Sequence, residues 1–472
     1  MKADIYLGST CKAGKEYKKV LSPYDGRIAS QVAVCDENIA KKALDTAQKS
    51  SVLAKKVPLH VRVNWLLDVA SKLEIQKEDM AQTITDEVGK PIQFSRIEVS
   101  RCIETIKLSA NAMMSLHGET FDTTAMPSGK ETLAFYKREA VGVVLAITPF
   151  NFPLNLVAHK IAPALVAGNA VVLKPTSSAP LTAFKFAKLF IESEYATKDA
   201  LSVIYSGQGV NDALVKSPIS RVISFTGSVP VGREITSKAG IKKLALELGG
   251  NAATYIDKSA DVKVAAQKCA LGSFINSGQV CISLQRIYVN KDVYGEFADL
   301  LKNETKALHV GSPYDEKTFI GPMINQKAVD QAKSWIQNAK DEGATLFFGS
   351  TCKDLMFAPT IMTNVTEEMN IVCEEVFAPI VSLIKVKDFD EAKVKMNNSP
   401  YGLQYSVFSN NMSTCKRAIN ELNAGGIVIN DIPTLRFDIQ PYGGFKESGI
   451  GKEGPKYALE EEYTQIKSIV IC

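Results

Sequence analysis

The sequence predicts an α/β protein built around a doubly wound parallel sheet, and the pattern between residues 141 and 248 is the main reason. Short apolar runs rich in β-branched residues alternate there with segments whose apolar spacing is typical of helices. This alternation indicates βαβ crossovers, with helices on both faces of the sheet. A second α/β unit begins at Asn251 and continues to about Gly451. Because ligands of such sheets bind at the carboxyl ends of strands, the residues that follow strands are the first candidates for a site.

The individual elements follow from the same patterns. The first 115 residues are predicted to be mostly helical, and the polar stretch 120–131 predicts a turn between two strands. The tail 463–472 is β-rich without an obvious partner nearby in sequence, and terminal strands of this kind often pair with another subunit. Helices are predicted over 39–49, 60–76, 78–87, 154–166, 181–194 and 260–274. Strands are predicted over 141–148, 169–173, 201–205, 221–225, 243–248 and 284–289.

Composition excludes several classes of protein. The chain has 472 residues, of which 46% are hydrophobic and 22% charged, so it has enough apolar side chains for large cores and is not a disordered chain. The net charge of +4 is too small to indicate a nucleic-acid or membrane-surface partner. Nine scattered cysteines, without a Cys-x-x-Cys pair, favour reduced thiols, and four distant histidines give no support for a metal site. The start has no secretory pattern, so we expect a cytoplasmic protein.

Three residues in turns are candidates for chemistry. Cys281 lies between a helix and a strand among glycine and polar neighbours, which favours a reactive thiol, although most free cysteines are small buried hydrophobes. Glu247 ends an apolar strand before two glycines, so it is either a general base in a cleft or a solvated strand-end carboxylate. Asn151 follows the strand at 141–148 and is either a turn residue or a hydrogen-bond donor to an oxyanion.

Seven short motifs, taken in order, resemble the aldehyde dehydrogenase superfamily. The resemblance runs from about Ser22 to the end of the sequence. The segment that begins at Asp431 further resembles the branch of lactaldehyde and non-phosphorylating glyceraldehyde-3-phosphate dehydrogenases. The motifs are Pro149-Phe-Asn-Phe-Pro, Leu173-Lys-Pro, Phe225-Thr-Gly-Ser, Glu247-Leu-Gly-Gly, Gly278-Gln-Val-Cys, Glu374-Glu-Val-Phe-Ala-Pro and Pro441-Tyr-Gly-Gly-Phe-Lys-Glu-Ser-Gly.

The resemblance implies a reaction and the residues that perform it. Cys281 would attack a small-molecule aldehyde to give a thiohemiacetal, with the oxyanion held by the Asn151 amide and the Cys281 backbone N–H. Loss of hydride to NAD or NADP would leave a thioester. Glu247 would then activate water, and its presence favours hydrolysis over transfer of the acyl group to coenzyme A.

The resemblance also implies a cofactor site. Lys174 would hold the adenosine ribose, and Gly227 and Ser228 would lie near the pyrophosphate at a helix N-terminus. Glu375 would bind the nicotinamide ribose, with Phe377 packed beside it. Many members that prefer NAD have a glutamate three residues after the lysine, whereas this chain has Ser177. A serine does not repel a 2′-phosphate, so we expect that NADP is accepted, with NAD as a second cofactor.

Domain organisation follows from the same resemblance. Residues 1–117 and 141–249 would form the dinucleotide-binding domain, and residues 250–459 the catalytic domain. Residues 118–140 and 460–472 would form a β oligomerisation arm, so we expect a homodimer or homotetramer.

The substrate and two charged residues leave alternatives open. The leading hypothesis is a small polar aldehyde such as lactaldehyde. Anionic aldehydes (glyceraldehyde-3-phosphate, phosphonoacetaldehyde or succinate semialdehyde), a non-enzymatic protein that retains the fold and a cofactor-free thiol hydrolase are the alternatives. Arg436 would face the substrate or act only as a structural ion-pair partner. Glu453 would relay protons or be a solvated glutamate at a helix start.

Overall fold

The computed structural model describes residues 1–206 and 208–472, without the side chains of residues 208 and 209. In its first half the strands are β1 (Lys2–Ala3), β2 (Ile5–Leu7), β3 (Thr10–Lys12), β4 (Tyr17–Leu21), β5 (Ile28–Cys35), β6 (Thr120–Asp122), β7 (Leu133–Ala140), β8 (Val143–Ile147), β9 (Ala170–Lys174), β10 (Leu201–Val203), β11 (Tyr205–Ser206), β12 (Ser220–Thr226) and β13 (Lys243–Glu247). The helices are α1 (Glu37–Ala54), α2 (Leu59–Ile75), α3 (Lys77–Val88), α4 (Ile92–Met114), α5 (Asn155–Val166), α6 (Pro180–Ile191), α7 (Gln208–Lys216) and α8 (Val229–Lys238).

The second half continues the alternation of strands and helices. Its strands are β14 (Ala252–Ile256), β15 (Leu284–Asn290), β16 (Thr345–Phe348), β17 (Cys352–Lys353), β18 (Met356–Phe357), β19 (Thr360–Thr363), β20 (Ile380–Val386), β21 (Tyr401–Gly402), β22 (Gln404–Phe408), β23 (Gly426–Ile429), β24 (Phe445–Lys446), β25 (Gly449–Ile450) and β26 (Thr464–Ile471). Its helices are α9 (Val262–Phe274), α10 (Tyr294–Ala307), α11 (Gln326–Asp341), α12 (Asn370–Cys373), α13 (Phe389–Asn397), α14 (Met412–Glu421) and α15 (Pro455–Ala458).

The predicted parallel sheet is present as the centre of an eight-stranded sheet in the order β25-β13-β12-β8-β9-β10-β2-β3. The five strands from β13 to β10 are parallel, and the remaining strands add antiparallel edges. The direction in which the chain adds strands reverses between β12 and β8. From β8 the chain adds β9 and β10 on one side, and it then adds β12 and β13 on the other side of β8. A crevice at such a reversal is where doubly wound sheets bind their ligands.

A second sheet of seven strands has the order β16-β19-β20-β15-β14-β22-β23. All its pairs are parallel except β16 with β19. The predicted boundary at residues 249 and 250 falls between the two sheets. However, β25 lies in the predicted catalytic segment and pairs with β13 of the first sheet. The division into domains stays a prediction.

The prediction that the first 115 residues are mostly helical is confirmed by α1 to α4, but the strands in residues 2–35 were not predicted. That stretch forms β1 to β5, and β5 pairs with β4, with β1 and with the distant β11. One partner of β5 comes from residues 205–206, so the local sequence alone does not specify the whole sheet. From residue 37 the three predicted helices are present, with α1 and α3 longer than predicted, and α4 (Ile92–Met114) is a fourth helix that was not predicted.

A three-stranded sheet combines β6, β7 and β26. The predicted turn at 120–131 contains β6 and a short 3₁₀ turn, Thr123–Ala125. The tail strand β26 has its partner within the chain, because it pairs with β7 over eight residues from Thr464↔Ala140 to Ile471↔Leu133. This sheet joins both segments of the predicted arm. In the part of the chain that the structure describes, no helix combines the length and apolar character needed to cross a bilayer.

Candidate active site

The predicted site residues meet where the carboxyl edge of the first sheet faces the amino edge of the second. Asn151 follows β8, Ser228 follows β12 and Glu247 ends β13. Cys281 and Glu375 instead precede strands β15 and β20 of the second sheet. All five line one cavity of about 320 Å³. The expectation that site residues follow strands therefore holds for the first sheet but not for the second.

The turn that presents Cys281 has an unusual backbone. Asn276, Ser277 and Gly278 have φ values of 50°, 58° and 69°, all in the left-handed region. The Ser277 hydroxyl donates to the backbone carbonyl of Gly321 at 2.8 Å. A Cβ at Gly278 would lie 2.2 Å from the Ala378 carbonyl oxygen, so only glycine fits there. This turn stops α9 and brings the chain into the cleft before β15.

Cys281 borders two cavities. The first is the cavity of about 320 Å³, and the second, of about 160 Å³, is lined by Phe152, Val280 and Ile282 among others. Cys281 and Tyr442 line both cavities. A group on the Cys281 sulfur can therefore be approached from two separate directions.

The Cys281 sulfur contacts one hydroxyl group. Its Sγ lies 3.1 Å from the Tyr442 hydroxyl oxygen. Burial raises the pKa of the Cys281 thiol to about 11, although the Tyr442 hydrogen bond and the charge of Arg436 act to lower it. The thiol therefore needs a base, or further stabilisation of the thiolate, to react near neutral pH.

Glu247 is a buried carboxylate, so it is not a solvated strand-end residue. It is 5% exposed, and its Oε2 has no hydrogen-bond partner among the described residues. Burial and the nearby negative charge of Glu453 raise the pKa of Glu247 well above its usual value, against the opposing charges of Arg436 and Lys160. A carboxylate with an unpaired oxygen and a raised pKa is suited to take a proton from water near neutral pH.

Asn151 is held by its own turn. It is 4% exposed, and its Oδ1 accepts a hydrogen bond from the Phe152 backbone N–H at 3.1 Å. Its Nδ2 makes no hydrogen bond to the described residues, and the residue lines the cavity beside Cys281. The amide N–H₂ thus remains available to an oxygen in that cavity.

Four of the residues predicted to bind the cofactor line the larger cavity. Gly227 and Ser228 lie at the start of the ten-residue helix α8, where backbone N–H groups are free. The Gly250 N–H donates to Glu375 at 3.1 Å, and burial raises the pKa of Glu375 to about 7 against this hydrogen bond. Phe377 has a φ of 50° and lies edge-to-face on Phe150, with ring centroids 5.9 Å apart.

The other two predicted cofactor residues lie further out. Lys174 ends β9 and Ser177 is exposed in the following turn, and both are outside the lining of the larger cavity. Burial lowers the pKa of Lys174, which Cys35 partly offsets.

A glycine beside Glu375 gives a further indication of close packing in the cavity. A Cβ at Gly249 would lie 2.3 Å from Glu375 Oε2, so a larger side chain would displace that carboxylate. The donor set of helix N–H groups, a carboxylate and an aromatic ring suits a dinucleotide, whose phosphates, ribose hydroxyls and flat ring need such partners.

A buried ion network surrounds the site, and Glu453 is part of it rather than a solvated residue. Glu453 accepts hydrogen bonds from Arg436 at 3.0 Å and from Lys160 at 3.4 Å. Burial by itself raises the pKa of Glu453, but Lys160 and Arg436 lower it to about 2. Arg436 also lies 3.4 Å from Asp438, which Arg101 holds with two hydrogen bonds of 3.0 and 2.8 Å. Arg436 thus makes ion pairs and also lines both cavities.

Sequence reasoning missed three residues of this neighbourhood: Lys160, Arg101 and Tyr442. Lys160 had a signal, because it is a lysine within the apolar helix α5, all twelve residues of which are buried. A buried lysine needs a partner, so its place in the sequence pointed to a buried carboxylate. Tyr442 lies in the motif that begins at Pro441, but nothing in that motif indicated its contact with Cys281, and Arg101 had no signal outside its contacts in the folded chain.

Comparisons with known proteins agree with this geometry. The model of the aldehyde dehydrogenase family matches residues 10–469. A 3-sulfolactaldehyde dehydrogenase of Priestia aryabhattai is 40% identical over 468 residues, which cover 99% of this chain and 97% of the relative. A lactaldehyde dehydrogenase of Methanocaldococcus jannaschii is 39% identical over 463 residues, covering 97% and 98%.

Solved structures give the same result. Aldehyde dehydrogenase 21 of Physcomitrella patens, in complex with the reaction product succinate, has a TM-score of 0.97 and 34% identity, covering 100% of this chain and 98% of that one. A glyceraldehyde-3-phosphate dehydrogenase of Methanocaldococcus jannaschii, complexed with NADP, has a TM-score of 0.93 and 37% identity, covering 97% and 99%. The chain therefore belongs to the aldehyde dehydrogenase family, and it is an NAD(P)-dependent aldehyde dehydrogenase.

Proposed function

We propose that this chain oxidises a small polar aldehyde, such as lactaldehyde, to its carboxylic acid through a thioester on Cys281. The position of Cys281 between two cavities is the observation that supports this most strongly. A sulfur reached from both sides can hold an aldehyde from the smaller cavity while a hydride acceptor occupies the larger one.

The protein's own residues would act in sequence. The Cys281 thiolate attacks the carbonyl carbon, and the new oxyanion accepts hydrogen bonds from Asn151 Nδ2 and the Cys281 N–H. NAD or NADP, when bound, accepts the hydride that leaves the thiohemiacetal carbon, and a thioester remains. Glu247 takes a proton from water as that water attacks the thioester carbonyl. The acid is released, and the sulfur returns to its starting state.

For the cofactor, Gly227, Ser228, Glu375 and Phe377 would hold the pyrophosphate and the nicotinamide ribose. Lys174 would bind the adenosine ribose. Ser177 is exposed and uncharged, so it leaves room for a 2′-phosphate. We therefore propose that NADP is accepted and that NAD also serves. A strong preference for NAD in the ratio of kcat/KM values would contradict this.

The size of the smaller cavity favours a short substrate. Its volume of about 160 Å³ is close to that which holds a molecule of roughly six non-hydrogen atoms. Lactaldehyde has five such atoms. Two relatives are named for lactaldehyde and 3-sulfolactaldehyde, both of which carry a hydroxyl group beside the aldehyde.

An anionic aldehyde is a second candidate, and Arg101 is the reason. Arg101 gives Nε and Nη2 to Asp438, and its Nη1 makes no hydrogen bond to the described residues. Its side chain is 31% exposed, and Arg101 lines the smaller cavity and also a second depression that includes Glu74 and Lys77. A sulfonate, carboxylate or phosphate on the far end of an aldehyde would find a cation at this point. Arg436 would reinforce that charge from within the ion network.

The experiment measures kcat/KM for lactaldehyde, succinate semialdehyde, glyceraldehyde-3-phosphate and propanal, each with NAD and NADP. Arg101→Leu is the discriminating variant. If the substrate is anionic, the kcat/KM of Arg101→Leu falls at least tenfold for the anionic aldehydes and little for propanal. If lactaldehyde is the substrate, wild type prefers it and Arg101→Leu lowers all four values alike. Absence of cofactor reduction with every aldehyde, equal to that of Cys281→Ala, would refute the proposed chemistry.

We also propose that the chain assembles through the sheet of β6, β7 and β26. β26 is an eight-residue strand at the edge of that sheet, with Ile466 and Val470 exposed, and Phe121 of β6 and Leu133 of β7 are exposed as well. Exposed apolar strands at an edge are normally covered. Sedimentation showing a monomer at micromolar concentration would refute assembly. The nine free cysteines suit a reducing cytoplasm, which is the location we propose.

A further inference from the structure

We propose that the Tyr442 hydroxyl is a catalytic hydrogen-bond donor that stabilises the Cys281 thiolate, and that Arg436 holds the tyrosine ring in place for this purpose. The inference rests on the proposed role of Cys281 as nucleophile. It adds a residue that contacts the reacting sulfur itself, at 3.1 Å.

The position of Tyr442 is fixed at its backbone and at its ring. Its backbone N–H donates to the Glu453 carbonyl at 2.9 Å, and the Glu453 N–H donates back to the Tyr442 carbonyl at 2.6 Å. The Arg436 guanidinium lies over the ring, 3.8 Å from its centre. Arg436 is held in turn by Glu453 at 3.0 Å and Asp438 at 3.4 Å. The hydroxyl therefore reaches the sulfur without the loss of side-chain freedom that a mobile residue would incur.

The charges around the sulfur act in both directions. Glu247 and Glu375 face Cys281 and disfavour a thiolate, while Arg436 and Tyr442 favour one. Among the described residues, the Tyr442 hydroxyl is the side-chain group within hydrogen-bond distance of Cys281 Sγ. Burial raises the pKa of Tyr442 well above its usual value, so the phenol keeps its proton and donates a hydrogen bond to the sulfur once the thiol ionises.

The size of the effect can be stated as a change in the thiolate fraction. A hydrogen bond to a charged group alters an equilibrium by about 10- to 100-fold, so its loss lowers the thiolate fraction by that factor. The thiolate that remains is more basic and therefore more nucleophilic. The rate constant of each thiolate rises by about the square root of the factor by which the thiolate fraction falls. The net fall in the rate of a thiolate reaction is therefore about 3- to 10-fold.

The test measures alkylation of Cys281 by iodoacetamide between pH 6 and 9, followed by mass spectrometry of the peptide that contains Cys281. Tyr442→Phe keeps the ring under Arg436 and removes only the donor. We expect its second-order rate constant to be about 3- to 10-fold lower than that of wild type. Tyr405→Phe is the matched control, since Tyr405 is equally buried and its hydroxyl donates to the Tyr401 carbonyl at 3.1 Å. Its rate should equal that of wild type.

A second substitution strengthens the hydrogen bond from position 442 instead of removing it. Fluorotyrosine at position 442 has a more acidic phenol and donates a stronger hydrogen bond, so alkylation should be faster than in wild type. It also replaces the first test if Tyr442→Phe does not fold. Rates within twofold of wild type for both variants, or an equal fall in Tyr405→Phe, would overturn the inference.

Alkylation does not depend on aldehyde turnover, so the two proposals fail separately. If the tyrosine variants behave as expected but wild type reduces no cofactor with any aldehyde, the proposed function fails and the role of Tyr442 stands. Cys281→Ala, which yields no adduct at this position, identifies the signal.

Discussion

Replacement of Glu247 by glutamine should separate the two halves of the reaction and also stabilise the protein. The substitution keeps the shape of the side chain and removes the base. Loss of a general base typically costs about 10²- to 10⁴-fold in the step that it assists. In a rapid-mixing experiment, Glu247→Gln should produce about one reduced cofactor per active site quickly and then turn over 10²- to 10⁴-fold more slowly than wild type.

The stability effect follows from the burial of this carboxylate. Because the pKa of Glu247 is raised in the folded protein, the folded state retains a proton that the unfolded chain has lost above pH 4.5. Wild type therefore loses stability as the pH rises between these two pKa values, by up to about 1.4 kcal/mol per pH unit. Glutamine does not titrate, so the stability of Glu247→Gln relative to wild type should increase from pH 6 to pH 8.

Denaturant unfolding at both pH values measures this gain. Glu342→Gln is the control, since Glu342 is exposed at the end of α11 and should give no pH-dependent difference. The reasoning is refuted if Glu247→Gln loses the initial burst along with turnover, or if its stability relative to wild type is the same at pH 6 and pH 8.

Two other residues give direct tests. Asn151→Ala should lower kcat by about 10²- to 10³-fold with little change in KM, because the amide would act on the oxyanion and not on the bound aldehyde; an effect confined to KM would contradict this. Glu453→Gln should destabilise the fold by about 3–5 kcal/mol, because it leaves Lys160 buried without its carboxylate and Arg436 with Asp438 alone. Since the pKa of Glu453 is lowered to about 2, this difference should be complete above about pH 4.5 and shrink below it; denaturant unfolding that shows no loss would count against the network.

The sequence predicted the parts of the site that depend on local structure. Asn151 and Glu247 were found because each lies at the end of a clear apolar strand. Tyr442 was not found, since its partner Cys281 lies 161 residues away, and Arg101 is 337 residues from Asp438. No local pattern encodes such contacts. Resemblance to a family supplied roles for individual residues, but not the ion network that surrounds them.

The same distinction applies to the fold. The parallel strands between β8 and β13 were predicted because β8 and β9 are apolar runs buried on both faces and β12 contains the buried Val222, Ile223 and Phe225. The strands of residues 2–35 were missed because β5 is completed by β11, about 170 residues further along. β5 is paired with β1 and β11 along one side and with β4 along the other, and such long-range pairing decides the structure of a strand whose own sequence is only partly apolar.

The pairing of β25 with β13 has a consequence for how the protein is made. Residues 449–450 close the edge of a sheet whose central strands leave the ribosome some 200 residues earlier. Tyr442 and Glu453, which flank β25, arrive equally late. The nascent chain must therefore hold an unfinished sheet edge, and Lys160 without its carboxylate, until residues 449–453 have been synthesised. Long-range closures of this kind fold slowly and expose the chain to aggregation during synthesis. Expression yield should thus depend on chaperone supply more steeply than the size of the folded cores suggests.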